Sequence, residues 1–164
     1  MFFGEKTCKH GNKMVRYKHR KGTAHKQKGR IKMKTNGKIE SKKGFYVGDI
    51  CYVLADDVYH GVWGGAGYED GIYTDTASGM QFAVAGTAYG DGTYFADNLG
   101  CAFPVDAGNI GIVPLEIVDE RKSADGFISK CPGVAEFDAE NGVFEVTLPD
   151  GTYLYIDTAD EGGC

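Results

Sequence analysis

Two residues near the start of the apolar part of the chain could do nucleophilic chemistry. Cys51 lies beside the motif residue Asp49, and His60 follows nine positions later. A thiol becomes a good nucleophile when a neighbouring base takes its proton, and histidine can act as that base. Cys51 lies in the apolar run ICYVL, however, where inert buried thiols are common. The pattern leaves a Cys51–His60 hydrolase open and favours a protein without catalytic activity.

A second set of residues could bind a metal ion. Cys8, His10, His19 and His25 are chemically suitable zinc ligands. Their spacing matches no standard zinc-finger framework, and scattered solvated histidines are the alternative interpretation. We therefore expect no bound metal or other cofactor.

Tyrosines and aspartates of an internal repeat form the third set. The pattern of aromatic, acidic and glycine residues that begins at Tyr68 is repeated 21 residues later, beginning at Tyr89. Tyrosines on offset turns can line a ligand groove, or they can form cross-strand pairs within a sheet. An Asp before Gly closes a tight turn and could also offer oxygen ligands to calcium. The ligand-binding candidates are Asp49, Tyr68, Tyr73, Tyr89, Asp91, Tyr94 and Asp106.

The phrase Asp-Gly-Thr-Tyr at 91–94 returns at 150–153, where the flanking residues predict an ordinary hairpin. This third copy favours the interpretation of the phrase as a turn. Three turns, around residues 49, 91 and 106, are the place where we expect a site.

Three segments carry a resemblance to other proteins. They are VGDICYVL (47–54), FAVAGTAYGDGTY (82–94) and VDAGNIGIVPLEIV (105–118). In combination they resemble a group of small β-rich proteins from bacteria and their phages, which carry GDPCY-like, TAYGDG and VDAG-x-IG motifs. Here Ile50 stands where the group has proline. The resemblance implies a domain boundary and a phage or bacterial setting, but no mechanism.

The secondary structure that carries these residues is predicted to be mostly β. High glycine, low proline, ten Tyr and nine Phe favour a sheet protein with many tight turns. We predict a mostly-β sandwich or partly open barrel of about ten short strands. One short helix is expected near 56–63, capped by Asp56, closed by Gly64-Gly65 and packed onto the sheet by Trp63.

Several strand predictions are specific. Residues 45–47 and 50–54 read as strands, 109–118 as a long central strand, and 143–157 as a hairpin. The Asp-Gly pairs at 70–71 and 91–92 are typical of hairpin turns. Pro104 indicates an edge strand. Alternation places Phe82, Val84, Phe103 and Val105 in the core.

Charge divides the chain into two parts. Residues 1–43 hold 15 Lys+Arg and two Glu, a net +13, whereas residues 44–164 hold three Lys+Arg and 21 Asp+Glu, a net −18. We expect a basic, mobile arm over 1–32, an acidic β domain over 33–158 and a frayed tail over 159–164. Met33 also reads as a native start, in which case residues 1–32 are an upstream extension.

Composition also bears on location and on the cysteines. No apolar run is long enough to span a membrane, and the first residues do not resemble a signal peptide. We therefore expect a cytoplasmic protein, in the host cytoplasm if a phage encodes it. Five widely spaced cysteines in such a compartment favour free thiols over disulfides.

These observations favour a non-enzymatic, macromolecule-binding protein of phage or bacterial origin, either host-modulating or a virion accessory. Its expected partner is a protein with a basic surface, because the acidic body repels nucleic acid. Weak, non-specific nucleic-acid contact is expected only through residues 6–43. The alternatives are a small-ligand or nucleotide-binding β domain and the cysteine-dependent hydrolase.

Overall fold

The computed structural model describes residues 34–160 except residues 97, 123 and 124. In this part of the chain two antiparallel sheets stack without closing into a barrel, which confirms the predicted sandwich. The described residues form eleven strands, where about ten were expected. The predicted arm over 1–32, its zinc candidates and residues 161–164 of the predicted tail lie outside the described residues.

The strands are β1 Lys34–Ser41, β2 Phe45–Gly48, β3 Gly71–Thr74, β4 Gln81–Gly86, β5 Gly92–Ala96, β6 Cys101–Val105, β7 Asn109–Pro114, β8 Gly126–Ser129, β9 Gly133–Glu140, β10 Val143–Thr147 and β11 Tyr153–Asp157. The six-stranded sheet has the order β1-β9-β10-β11-β5-β6, and the five-stranded sheet has the order β3-β4-β7-β2-β8. Strand β11 joins β5 through the single pair Ile156–Ala96.

Two apolar clusters bury three of the four sheet faces. One lies between the sheets and includes Ile39, Phe103 and Ile112. The other covers the outer face of the five-stranded sheet and includes Phe82 and Trp63. The four predicted core residues are all buried, but they divide between these clusters: Phe103 and Val105 join the first, and Phe82 and Val84 join the second.

The short helix α1 (Asp57–Trp63), wound as a π-helix, covers the five-stranded sheet as predicted. The Asp56 side chain makes no capping bond; instead it pairs with Lys122 Nζ at 3.0 Å. A 3-10 turn (Gly64–Ala66) continues the helix, and the segment ends at Gly67, whose φ of +81° suits glycine. The end therefore lies beyond the predicted Gly64-Gly65.

The strand predicted at 50–54 is wrong. Residues Ile50–Tyr52 form a 3-10 turn, and Leu54 joins the sheet only through an isolated bridge to Val118. The Asp49 side chain accepts the Cys51 amide, and the Asn109 side chain accepts the Ile50 amide. Because these two backbone amides donate to side chains, they are not available for hydrogen bonds to a neighbouring strand.

The Asp-Gly pairs at 70–71 and 91–92 are not hairpin turns. Gly71 and Gly92 are the first residues of β3 and β5. The β3–β4 hairpin closes after the pair Thr74–Gln81, and the β5–β6 hairpin closes after the pair Ala96–Cys101. Only the pair at 150–151 lies at a hairpin tip, between β10 and β11. Local sequence alone does not distinguish a turn within one sheet from a crossing between two.

Other strand predictions are confirmed with small changes. Strand β7 is central in its sheet, and a 3-10 turn (Leu115–Ile117) follows it at Pro114. Pro104 lies in the edge strand β6. Strands β10 and β11 form the hairpin predicted over 143–157.

Cys51 and Cys131 are free thiols, as expected. The expectation is wrong for Cys101, which is disulfide-bonded. Cys101 is the first residue of the edge strand β6 and is buried.

Candidate functional site

The three turns that the motifs singled out do converge at one end of the sandwich. The amides of Asp106 and Ala107 each donate to Asp49 Oδ2 at 2.7 Å. The Thr87 amide donates to the carbonyl of Gly108 at 2.9 Å, which brings the turn before Asp91 against the turn after Asp106. Asp49 and Asp106 are therefore in contact.

Asp49 is fully buried and accepts three backbone N–H groups, since its Oδ1 also accepts the Cys51 amide at 2.9 Å. A buried carboxylate is costly unless such donors satisfy it. The side chain therefore holds the turns together, and in this conformation it has no free surface to offer a ligand.

Sequence reasoning missed Asn109 and Tyr59. Asn109 is 1% exposed; its Oδ1 accepts the Ile50 amide at 3.1 Å and its Nδ2 donates to Ala107 O at 3.2 Å. The Tyr59 hydroxyl reaches Asn109 from helix α1. Burial and the nearby Cys51 and Asp49 raise the pKa of Tyr59 to about 12. The asparagine beside the VDAG motif was the available signal.

The structure does not bring Cys51 and His60 together as nucleophile and base. Burial, followed by hydrogen bonding and charge from Asp49, raises the pKa of the Cys51 thiol well above its ordinary value. His60 Nδ1 lies 2.8 Å from the Tyr68 hydroxyl. The thiol is therefore held protonated, and the imidazole is engaged elsewhere.

Tyr68 lies in an aromatic cluster on helix α1, with edge-on contacts to His60 and Trp63 and a tilted contact to Tyr59. Its φ of +56° is uncommon for a bulky side chain, and 47% of its surface is exposed. Trp63 Nε1 donates to Glu69 O at 2.9 Å, which fixes the chain beyond the helix.

The other repeat tyrosines do not share a groove. The hydroxyls of Tyr73 and Tyr94 each donate to the carbonyl four residues earlier, on Glu69 and Gly90. Tyr73 packs on the outer cluster, whereas Tyr94 packs on the cluster between the sheets. Tyr89 is 53% exposed. The two copies of the repeat therefore share one local hydrogen bond, from a tyrosine hydroxyl to the carbonyl four residues earlier, but they lie in different sheets.

The aspartates of the Asp-Gly pairs have distinct surroundings. Asp70 Oδ1 accepts the Gly86 amide at 2.8 Å, and Asp150 Oδ1 accepts the Thr152 amide at 3.0 Å. Asp91 is exposed. No three His, Cys, Asp or Glu side chains within the described residues are placed to hold a metal ion.

A shallow surface cleft of about 470 Å³ lies beside the start of helix α1, lined by Ala55, Asp56, Asp57, Asp119, Arg121 and Lys122. Its cations are paired, because Arg121 bonds Asp119 and Lys122 bonds Asp56, each at 3.0 Å. The cleft therefore offers no strong net charge of either sign to a ligand.

A larger charged surface lies on the outer face of the six-stranded sheet. Register places alternate residues of neighbouring strands side by side: Glu145 opposes both Asp138 and Tyr155. No described element forms a layer over this face, unlike the other three. We call it the acidic face; its β9–β11 residues are Glu136, Asp138, Glu140, Glu145, Tyr153, Tyr155 and Asp157.

The acidic face combines carboxylates with tyrosines. Burial and then the charges of Asp157, Glu145 and Asp160 raise the pKa of Tyr155 to about 12. The Tyr153 hydroxyl donates to Glu145. Phe95 on strand β5 adds a side chain that is 40% exposed. The face therefore presents neutral rings beside negative charge.

Sequence reasoning did not identify the acidic face. Its carboxylates come from distant strands, and only the strand order makes them neighbours. The alternating pattern over 133–157 was the signal, because every second residue there had to point away from the core.

None of the helices among the described residues has the length and apolar character that a membrane span requires. Comparisons of the chain with protein-family models, with curated proteins and with solved structures found no match.

Proposed function

We propose that this chain is a non-enzymatic protein-binding module whose acidic face binds a Lys/Arg-rich surface of another protein. The observation that carries the proposal is the side-by-side arrangement of carboxylates and tyrosine rings on the one sheet face that no described element covers. The phage or bacterial setting implied by the motif resemblance stays an expectation.

The chemistry of the face suits guanidinium and ammonium groups. A carboxylate such as Glu145 can pair with arginine, and the ring of Tyr155 beside it offers a stacking surface. The same negative charge repels phosphate, so a nucleic acid is a poor partner for this face.

The size of the face suits a modest interface. From β9 to β6 four strand spacings cover about 19 Å, and five to eight residues along each strand cover roughly 17–26 Å. The projected area is about 400 Å², which is typical of a small, transient contact.

The convergence of turns around Asp49 supports binding over catalysis. Its carboxylate is buried and bonded to three backbone amides, and the Cys51 thiol beside it has a raised pKa. Those groups stabilise the end of the sandwich, and the acidic face is the surface left for a partner.

A peptide of eight arginines with a fluorescent label is a defined probe for the face. We expect the triple variant Glu136→Gln, Glu140→Gln, Glu145→Gln to bind it about tenfold or more weakly by fluorescence anisotropy. The three residues are exposed on β9 and β10, so the fold should be retained.

The matched control removes the same charge elsewhere, through Asp57→Asn, Asp91→Asn and Glu120→Gln, all exposed. We expect its affinity for the probe to change less than about threefold. Equal losses in both variants would show that only net charge matters, and that result would overturn the proposal.

A further inference from the structure

The first 33 residues of the chain are strongly basic. Building on the proposed function, we infer that residues 1–33 occupy this face within the same molecule and compete there with a basic partner. The acidic face would then be regulated by displacement of the chain's own segment.

Charge complementarity is the first argument. Residues 1–33 hold 11 Lys+Arg and one Glu, a net +10, whereas residues 34–160 hold seven Lys+Arg and 21 Asp+Glu, a net −14. Four cations lie among six residues, at Arg16, Lys18, Arg20 and Lys21, so the positive charge is densest there.

The point of attachment is the second argument. Residue 33 precedes β1, which is an edge strand of the sheet that bears the acidic face. The first cations of that strand already contact the face: Lys34 Nζ lies 3.5 Å from Asp138, and Lys38 Nζ lies 3.9 Å from Glu136. The basic segment therefore connects to the face at its border.

The length of the segment is the third argument. The whole sheet from β1 to β6 is about 24 Å wide, at five strand spacings. A linker of 33 residues with coil dimensions spans roughly 30 Å root-mean-square, which exceeds this width. A tether of this length keeps the cations at an effective concentration on the order of millimolar.

Exposed ion pairs are individually weak and are screened by salt. The contact is therefore displaceable, and a partner with more arginines or better stacking removes the segment from the face. Its occupancy falls as ionic strength rises.

The test uses the full chain and the labelled eight-arginine peptide. We expect the variant Arg16→Gln, Lys18→Gln, Arg20→Gln, Lys21→Gln to bind the peptide about three- to tenfold more tightly than the unmodified chain. Amide resonances of β9 and β10 should shift in this variant, and those of β3 and β4 should not.

The control variant removes four exposed or partly exposed cations of the folded part, through Lys42→Gln, Lys43→Gln, Arg121→Gln and Lys130→Gln. Its net charge equals that of the segment variant, so equal tightening in both overturns the inference. An unchanged affinity in the segment variant also overturns it.

The two proposals fail in different ways. If the segment variant binds the peptide like the unmodified chain, while Glu145→Gln with its two companion substitutions still weakens binding, only this inference is lost. If the triple variant of the acidic face (Glu136→Gln, Glu140→Gln, Glu145→Gln) binds the peptide as tightly as the unmodified chain, the binding proposal for that face is wrong. Sedimentation measures the oligomeric state of both chains. A dimer for the unmodified chain and a monomer for the segment variant would show that the segment binds another copy, which contradicts the intramolecular contact.

Discussion

Asp49 shows how one buried carboxylate can organise a whole end of the sandwich. It accepts the amides of Cys51, Asp106 and Ala107, so a single side chain fixes a 3-10 turn and the turn before β7. The motif drew attention to Asp49 and Asp106 together. It could not show that Asp106 contributes its backbone amide to this contact, because any residue has one.

We expect Asp49→Asn to lower the free energy of unfolding by roughly 2–4 kcal/mol, since it removes a charged acceptor and turns an amide donor toward backbone donors. Chemical denaturation measures the loss. Asp91→Asn, at an exposed position, is the control and should change stability by less than about 0.5 kcal/mol. Similar small effects for both would show that the three bonds do not hold the turns.

The raised pKa of Cys51 predicts that its thiol reacts slowly with alkylating reagents. Alkylation needs the thiolate, which burial and Asp49 disfavour. We expect iodoacetamide near neutral pH to modify Cys51 at least about tenfold more slowly than an unfolded cysteine peptide. Mass spectrometry of a Cys131→Ser chain follows the site. Rapid modification of Cys51 would contradict this prediction and would support the cysteine-dependent hydrolase.

At the level of secondary structure, the pattern of apolar and polar residues predicted most strands. A strand buried on one face alternates, and a strand buried on both faces is a continuous apolar run. The failure at 50–54 has a definite cause. An apolar run is compatible with a strand or a buried turn, and here the side chains of Asp49 and Asn109 compete for the backbone donors. The competing Asn109 lies 59 residues from Ile50, beyond any local pattern.

Glu116 links the β1–β2 turn to the 3-10 turn after β7. Partial burial raises its pKa, but the Ser41 hydroxyl and the Lys42 amide outweigh this effect, so the pKa lies below its ordinary value. A lowered carboxyl pKa contributes stability above the unfolded-state value of about 4.3, and this contribution is lost as pH falls through the folded-state value.

We therefore expect Glu116→Gln to destabilise the protein by roughly 1 kcal/mol near neutral pH and by progressively less in acid. Urea titrations at several pH values test this trend. Glu120→Gln is the exposed control. A difference that stays constant down to about pH 3 would contradict the assignment.

At the scale of the whole molecule, the described strands and both apolar clusters fall within residues 34–160. Three sheet faces are buried and one is acidic. The binding proposal belongs to this scale, because the acidic face exists only through the order in which distant strands are placed.

We expect the chain that begins at Met33 to retain cooperative thermal unfolding in the presence of a reductant. The described residues of both apolar clusters lie between 39 and 156, and their burial is the main stabilising contribution. Calorimetry compares the shortened and full chains. Loss of a cooperative transition would show that the first 32 residues are part of the folded unit.

The β class, the short helix, most strands and the division of charge could be read from the sequence, because periodicity and composition are local properties. It also indicated that the turns at Asp49, Asp91 and Asp106 belong together. The burial of Asp49, the separate partners of Cys51 and His60, and the shared face of Glu136, Glu145 and Tyr155 became visible only in the folded chain. Those facts depend on contacts between residues far apart in the chain, which no local pattern contains.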